Sequence, residues 1–599
     1  MLDHLYASSL AAAVTGSPTD GKRAIEILTG LAQVYPDLPL HGANVGQGRL
    51  TAQSLEEAVA ATTLARSYAL VCDRMTASQR AEVTDRLFRP MVQVISDHLM
   101  NRTHNIEVWH LAGLASLAVV LDDHDLAERT LHREHGFHDQ LTDGLRPDGW
   151  WFEGSPGYHF YMLTAVLNAV ESYQALGLDS AATGALERML LTPVETARDD
   201  LTVPPFNDSA LGPAVPPGLA NHADLYFRGA RLCRSEPLDR FLGSALTAGF
   251  DRSTLDHLVY GRPDDSTPVA DDEWPTERRS VLPDSGYAIL RRPPAGTDAG
   301  GDTSVFLKFG PHGGGHGHPD KLGIELMING SRVIADPGTA MYTNPIHQSW
   351  YVQTWSHSTV LIDRISQPPI TGRLVGHRPV TTDRFGCVDA EVVFDRAPAD
   401  EGEQILWHDE DPAPVAAYAG VRIRRILAMV PPEQGDYLLD LVLVSTPHDR
   451  TIELITHVRG TLTDPPSRSA RSRLLLPQFD DVRRAEDATG HTDYLLTDDD
   501  RPWSRWHTGA EELLTARTPS NPPHLSCAST IERVVGRRAV FAAALPLGSA
   551  GLTGLSMTSS GEVEVVSAGH RHLWRPPPEQ PSTAPSRPWS EEPPIQLES

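Results

Sequence analysis

The chain has 599 residues, a formal net charge of −27 and an apolar fraction of 40%. That length implies more than one domain and ample core, and the acidic excess excludes general binding to nucleic acid or to membrane surfaces. No run reaches membrane-span length, and the dispersed Cys72, Cys233, Cys387 and Cys527 form neither a CxxC pair nor a disulfide framework, which suits a reducing compartment.

Taken in order, the chain opens on MLDHLYASSLAAAVTGS, which has an apolar middle but no basic segment before it. It reads as a helix and not as a signal peptide. The expected location is cytoplasmic, or secreted if a leader lies upstream. To about Arg262 the pattern is helical. GKRAIEILTGLAQVY, QSLEEAVAATTLARSYALVC, SQRAEVTDRLFRPMVQVISDHL and YMLTAVLNAVESYQAL place apolar residues at three- and four-residue spacing. Thr51, with Leu55, Glu56 and Glu57 behind it, marks a helix start.

Two loops in this half stand out. In NRTHNIEVWHLAG, His104 and Asn105 precede a helix carrying Glu107, Trp109 and His110. A helix N-terminus favours an anion; the plainer reading is capping by Thr103 or Asn105. In RPDGWWFEGSPGYHFYML, Asp148-Gly149 and Ser155-Pro156-Gly157 are turn chemistry. Around them lie Trp150, Trp151, Phe152, Tyr158, His159 and Tyr161, which either stack on a sugar or fill the core. Further on, RDDLTVPPFNDSA places Asn207-Asp208-Ser209 after two prolines, and Asp208 reads as structural.

Residues 263–280 are acidic and proline-containing, hence a linker, and from Val281 the period changes to two. SVFLKFG, IELMING, RVIADP, STVLID, CVDAEVVF, VRIRRILAMV, DYLLDLVLVS, TIELITHVRG, AVFAAALPL and VEVVSAGHRHLWR read as strands of stacked antiparallel sheets. The proline-rich tail, 575–599, reads as disordered.

The stretch Phe309–Asp363 holds His312, His316, His318, His347 and His357. Gly313 to Gly315 rule out a helix interior and predict a tight loop. Asn329-Gly330 predicts a hairpin. His318, Asp336 and His357 then fall at the ends of neighbouring strands, and two imidazoles with one carboxylate suit zinc or a similar divalent ion; a cluster that only makes hydrogen bonds is the other reading. If His316-Gly317-His318 is extended, His316 faces the opposite way and is available for chemistry. Over 301–367, Lys308, Lys321, Arg332 and Arg364 stand against Asp302, Asp320, Glu325, Asp336 and Asp363, so that segment is near neutral in an acidic chain, a hint of a cleft that tolerates anions.

GGGHGHPDKLGIELMINGSRVIADPGT followed by WSHSTVLID resembles the heparinase II/III superfamily of polysaccharide lyases, which includes glycosaminoglycan lyases and the alginate and oligoalginate lyases. The likeness covers roughly residues 45–365 at motif level and the later strands by architecture. It implies an α+β multidomain chain: an incomplete (α/α) toroid over 1–262, the linker over 263–280, an antiparallel β-sandwich over 281–574, then the tail. Position by position it implies His104, Asn105, Tyr158 and His316 as catalytic residues. His318, Asp336 and His357 would bind one divalent ion, zinc first, with manganese and calcium as alternatives; no organic cofactor is implied. Tyr351, with Tyr342 second, and Arg49, Gln53, Trp151, His159, Tyr161 and His312 would contact substrate. Many members have Asn-Asn-His or Asn-His where this chain has Thr-His-Asn, which leaves open whether His104 or Asn105 meets the substrate.

The implied substrate is an acidic polysaccharide of 1,4-linked uronates. Elimination needs the carboxylate neutralised, a base for the C5 proton and an acid for the departing O4. Family analogy favours a glycosaminoglycan over alginate. A glycoside hydrolase would want two carboxylates, for which Glu107, Asp148, Glu153 and Asp208 are candidates; a non-catalytic glycan-binding protein is the third reading.

Overall fold

The computed structural model of the chain describes all residues except 43–45, 210–217, 249–277, 293–300, 396–412, 471–473, 475, 549–550, 578–589, 591–594 and 599. It is α+β: a helical N-terminal region of the (α/α) toroid class, then a large antiparallel β-sandwich region.

The chain divides into two compact units. The first comprises Met1–Trp151, Tyr158–Thr192 and His222–Trp274. Its helices include Pro18–Val34, Ser54–Val71, Asn105–Leu121 and Pro156–Ala175. The second begins at Ser54 and not at Thr51, whose hydroxyl and N–H are instead 3.1 and 3.2 Å from the carboxylate of Glu57. The helical run 77–96 is interrupted by a π-turn at Thr84–Phe88. Pro90 lies just beyond it, and a residue without an N–H cannot continue the regular ladder. Asn105–Leu121 is buried on nearly every side, which explains a sequence apolar all round.

The second unit comprises Phe152–Gly157, Pro193–Asn221 and Pro275–Ser599. Two loop segments that the sequence assigns to the helical domain thus belong with the sheets. The Tyr287 hydroxyl donates to the Gly154 carbonyl (2.6 Å), and the fully buried Arg198 pairs with Glu325 at 2.8 Å. DYLLDLVLVS and TIELITHVRG are not two strands but one, Tyr437–Val458, with a register shift between Ser445 and Arg450 where Pro447 sits. It pairs antiparallel with Ser526–Pro546 along most of its length. Alternate residues enter different cores: Leu438 and Val442 one, Leu439 and Leu441 another. The strand is therefore covered on both faces.

Asn329 (φ 51°) and Gly330 (φ 81°) make the expected turn between Ile324–Ile328 and Ser331–Ile334. Most of the expected linker lies outside the described residues. So does most of the tail, but Gln596–Glu598 is a strand paired with His570–Arg575, so that part is ordered, contrary to the expectation from composition. Among the described residues no helix is long and apolar enough to cross a membrane.

Candidate functional site

In the second unit the glycine run lets a loop pass close to other backbone. A Cβ on Gly313 would lie 2.3 Å from the Glu153 carbonyl oxygen, and one on Gly317 would lie 1.5 Å from that of His312. The loop delivers His316 Nδ1 to within 3.2 Å of the Glu153 carboxylate, which is 2% exposed. Burial disfavours the imidazolium, but the charge and hydrogen bond of Glu153, with the charge of Asp208, outweigh it and hold the His316 pKa above its ordinary value.

Two residues on, His318 is fully buried. Its Nε2 lies 2.9 Å from Asp208 Oδ1, and its N–H donates to Asn207 Oδ1 at 2.9 Å. Asn207 Oδ1 also accepts from the buried Lys308 ammonium, and Asn207 adopts a left-handed φ of 62°. The Asp208 N–H donates to the His316 carbonyl (3.0 Å). The segment read as structural is thus the common anchor of the histidine loop. Burial raises the Asp208 pKa, but the His318 hydrogen bond and the His318 and His316 charges bring it below its ordinary value.

Among the described residues, the tight ligand-type group is Asp320, Asp336 and His357, whose ligand atoms all lie within 4.8 Å of one another. Asp336 and His357 are as expected, with Oδ2 and Nδ1 2.7 Å apart. Asp320 completes this group, and His318, bonded through its Nε2 to Asp208 and through its N–H to Asn207, stands beside it and not within it. The His318 ring remains adjacent, 5.2 Å from that of His357 centroid to centroid. Among the described residues, two buried imidazole nitrogens here, His318 Nδ1 and His357 Nε2, lack a hydrogen-bond partner. Two carboxylates and an imidazole this close, with unpartnered imidazole nitrogens in the same cluster of rings, fit a divalent cation. The Lys308 ammonium also contacts Asp320 (2.5 Å); although burial opposes ionisation, Lys308 first and then His357 and Lys321 hold that carboxyl well below the usual range.

The expected substrate residues divide sharply. Tyr342 is 57% exposed and its hydroxyl donates to Asp208 Oδ2 (2.8 Å). Tyr351, expected ahead of it, is fully buried and donates to the Ser520 carbonyl (2.8 Å), so of the two tyrosines it is Tyr342 that is exposed. His312 is buried, and desolvation with Lys321 and Lys308 keeps it neutral, so it is packing and not a substrate contact. Of the four cations, Lys308, Lys321 and Arg332 are at most 7% exposed, while the Arg364 side chain is 31% exposed and lies 3.5 Å from Glu453.

In the helical unit, neither Thr103 nor Asn105 is the N-cap. His104 is, its Nδ1 accepting the Ile106 N–H (3.2 Å). The neutral ring then carries its proton on Nε2, a donor suited to a carboxylate. His104 is half-buried whereas Asn105 is 1% exposed. Tyr158 is half-buried and meets the Tyr161 ring edge-on at 6.2 Å; Tyr161 packs on Trp109. Trp151 and His159 are core instead of sugar platforms: the His159 Nδ1 accepts the Trp151 N–H (3.1 Å), and its Nε2 donates to the Met189 carbonyl (2.9 Å). Arg49 is turned to the carbonyls of Pro36 and Leu38, and Gln53 precedes the helix at Ser54.

The four carboxylates considered for hydrolysis, Glu107, Asp148, Glu153 and Asp208, are 0, 7, 2 and 4% exposed. Glu107 is held by the Met100 N–H (2.6 Å) and Arg133 (3.4 Å). Sequence reasoning undervalued Glu153, Asn207 and Asp208 and missed Asp320. Their only signals were a turn-rich setting, two prolines, and the position two residues after His318.

Known proteins resemble both parts of the chain. The family described as heparinase II/III-like, C-terminal, matches residues 275–523, and that described as alginate lyase matches residues 2–199. An alginate lyase of Stenotrophomonas maltophilia is 27% identical over 390 residues, covering 60% of this chain and 51% of the relative. An exo-oligoalginate lyase of Saccharophagus degradans is 25% identical over 485 residues, covering 75% and 62%. A heparin-sulfate lyase of Pedobacter heparinus is 25% identical over 235 residues, covering 37% and 30%. The chain thus spans only about half to three-fifths of the length of the first two relatives. The crystal structure of heparinase III superposes with a TM-score of 0.65 at 14% identity, covering 94% of this chain and 81% of that one, a likeness of fold.

Proposed function

We infer that this chain, which joins an alginate-lyase-type helical domain to a heparinase II/III-like C-terminal domain, is a polysaccharide lyase that cleaves 1,4-linked uronate glycans by β-elimination. The observation that carries the reading is the His316–Glu153 pair: an imidazole on a glycine-built loop, 3.2 Å from a buried carboxylate. With Nδ1–H donated to Glu153, the neutral ring presents its lone pair at Nε2, and the carboxylate makes it a stronger base than a free imidazole. In this assignment Nε2 takes the uronate C5 proton. Tyr158 protonates the departing O4, since a neutral phenol, of ordinary pKa about 10, is a competent donor. His104, by its Nε2–H, is assigned ahead of the more buried Asn105 to the substrate carboxylate, where it would stabilise the C5 carbanion. The product is a 4,5-unsaturated uronate, and no water is consumed.

Asp320, Asp336 and His357, with His318 beside them, would hold one divalent ion, and the nitrogen donors favour zinc over manganese or calcium. When bound, the ion supplies a fixed charge that braces the loops carrying His316.

Alginate and its oligomers are the first substrate to test. The alginate-directed relatives match 60% and 75% of the chain, and the buried Lys308, Lys321 and Arg332 are poorly placed to meet sulfate. A glycosaminoglycan is the second reading, carried by the heparin-sulfate lyase similarity. The test is a panel of alginate, heparan sulfate, hyaluronan and chondroitin, read by the ultraviolet absorbance of the unsaturated product. Cleavage without that absorbance would mean hydrolysis; binding without cleavage would leave a glycan-binding protein.

A further inference from the structure

Asp208 has two carboxylate oxygens, and each meets a different donor. Oδ1 lies 2.9 Å from His318 Nε2, and Oδ2 accepts the Tyr342 hydroxyl at 2.8 Å. The residue itself is 4% exposed and is fixed through its backbone as well: its N–H donates to the His316 carbonyl (3.0 Å), and its carbonyl accepts the Ser155 hydroxyl (2.9 Å). At the other end of this bond Tyr342 is 57% exposed, with the His347 ring edge-on at 4.9 Å. A large aromatic ring therefore stands outside the fold while its hydroxyl is tied to a buried charge. Side chains ordered before binding lose less entropy when a ligand arrives, and a phenol ring is a suitable flat face for a sugar ring.

A carboxylate only accepts, so His318 carries its proton on Nε2 and turns its lone pair to Nδ1. Among the described residues that atom has no hydrogen-bond partner, and the His318 ring centroid lies 5.2 Å from that of His357, a member of the Asp320–Asp336–His357 group.

We propose that Asp208 is a positioning residue that holds the Tyr342 ring ready for a sugar and orients His318 toward a cation, so that the two act as one assembly. The sugar half rests on the lyase reading; the tether itself does not.

The test uses the full chain and the variants Asp208→Asn, Tyr342→Phe and both together. An amide accepts through one oxygen and presents an NH2 group to the other donor, so Asp208→Asn cannot serve both partners. Hydrogen–deuterium exchange in peptides spanning 339–347 should rise several-fold in either single variant. Zinc retained after reconstitution with zinc alone should fall in Asp208→Asn and stay at the wild-type level in Tyr342→Phe. KM for alginate oligomers should rise about tenfold in each, as for loss of one charge-assisted hydrogen bond, and no further in the double variant, with kcat changing less than KM. Unchanged exchange in Asp208→Asn, unchanged zinc in that variant, or KM effects that multiply would overturn the proposal. If the wild type yields no unsaturated product from any uronate polymer, the lyase reading fails, and exchange and zinc alone decide the tether. Should Asp208→Asn not fold, Tyr342→Phe must by itself raise exchange across 339–347, and its failure to do so overturns the tether.

Discussion

A histidine beside a buried carboxylate is a different reagent from a histidine in water. Glu153 cannot be solvated where it sits, so its charge is expressed on His316, the neighbour 3.2 Å away. Glu153→Gln keeps an acceptor for Nδ1–H but removes the charge. The expected result is a fall in kcat on the order of 10²-fold with KM little changed, measured on whichever uronate polymer the wild type cleaves. A folded variant with wild-type kcat would detach Glu153 from the chemistry. Tyr158→Phe removes one oxygen from a half-buried ring. It should cost on the order of 10²- to 10⁴-fold in rate while the melting temperature stays close to wild type; full turnover would move the acid elsewhere. At this scale burial was not legible. Alternation along His316-Gly317-His318 pointed to His316, and the family resemblance to Tyr158, to Tyr351 and, second to it, to Tyr342, but nothing in the letters separated the buried Tyr351 and His159 from the exposed Tyr342, because aromatic side chains serve core and ligand equally well.

At the scale of elements, the histidine loop depends on space and not on unusual dihedrals at its tightest point. Gly317 has φ −79°, which any residue adopts, but a Cβ there would sit 1.5 Å from the His312 carbonyl oxygen. Gly330 is the converse: φ is 81° and the nearest atom to a Cβ is 3.9 Å away. Gly317→Ala should therefore displace the loop that carries His316 and reduce turnover on the order of 10²-fold, since about 1 Å of misplacement has that effect. The sandwich should still melt cooperatively; near-wild-type activity in this variant would mean that His316 does not need its observed position. The hairpin at Asn329-Gly330 and the tight glycine loop were legible in the sequence because both are local. The anchor that receives the loop was not: Asn207 and Asp208 lie about a hundred residues upstream of His318, and only the fold brings them together. The same holds for Tyr437–Val458, where a proline at a register shift looks like a gap between two strands.

For the molecule as a whole, the acidic balance conceals a second population of titratable groups. His159, His457 and His507 are 0, 3 and 1% exposed, each hydrogen-bonded within the fold. Burial is the largest influence on all three and depresses their pKa values to about 4, about 4 and about 3. An unfolded chain would protonate them near the ordinary value of about 6.5. Between these limits the unfolded state binds more protons than the folded one, so stability rises with pH. The contribution is complete above about 6.5 and is lost progressively as the pH falls toward 4. His316 and His357 act in the opposite sense. Their raised pKa values favour the folded chain at low pH, and that contribution is lost as pH rises through the folded values. Melting temperature should accordingly pass through a maximum near neutrality, with a fall between pH 6.5 and 4.5 larger than surface carboxylates alone produce. His159→Gln separates this cause from general acid unfolding. Glutamine keeps a donor and an acceptor but does not titrate, so the variant should be less stable at pH 7.5 yet lose less on acidification. Parallel melting curves for the two proteins from pH 7.5 to 4.5 would show that protonation of buried His159 does not govern the acid limb.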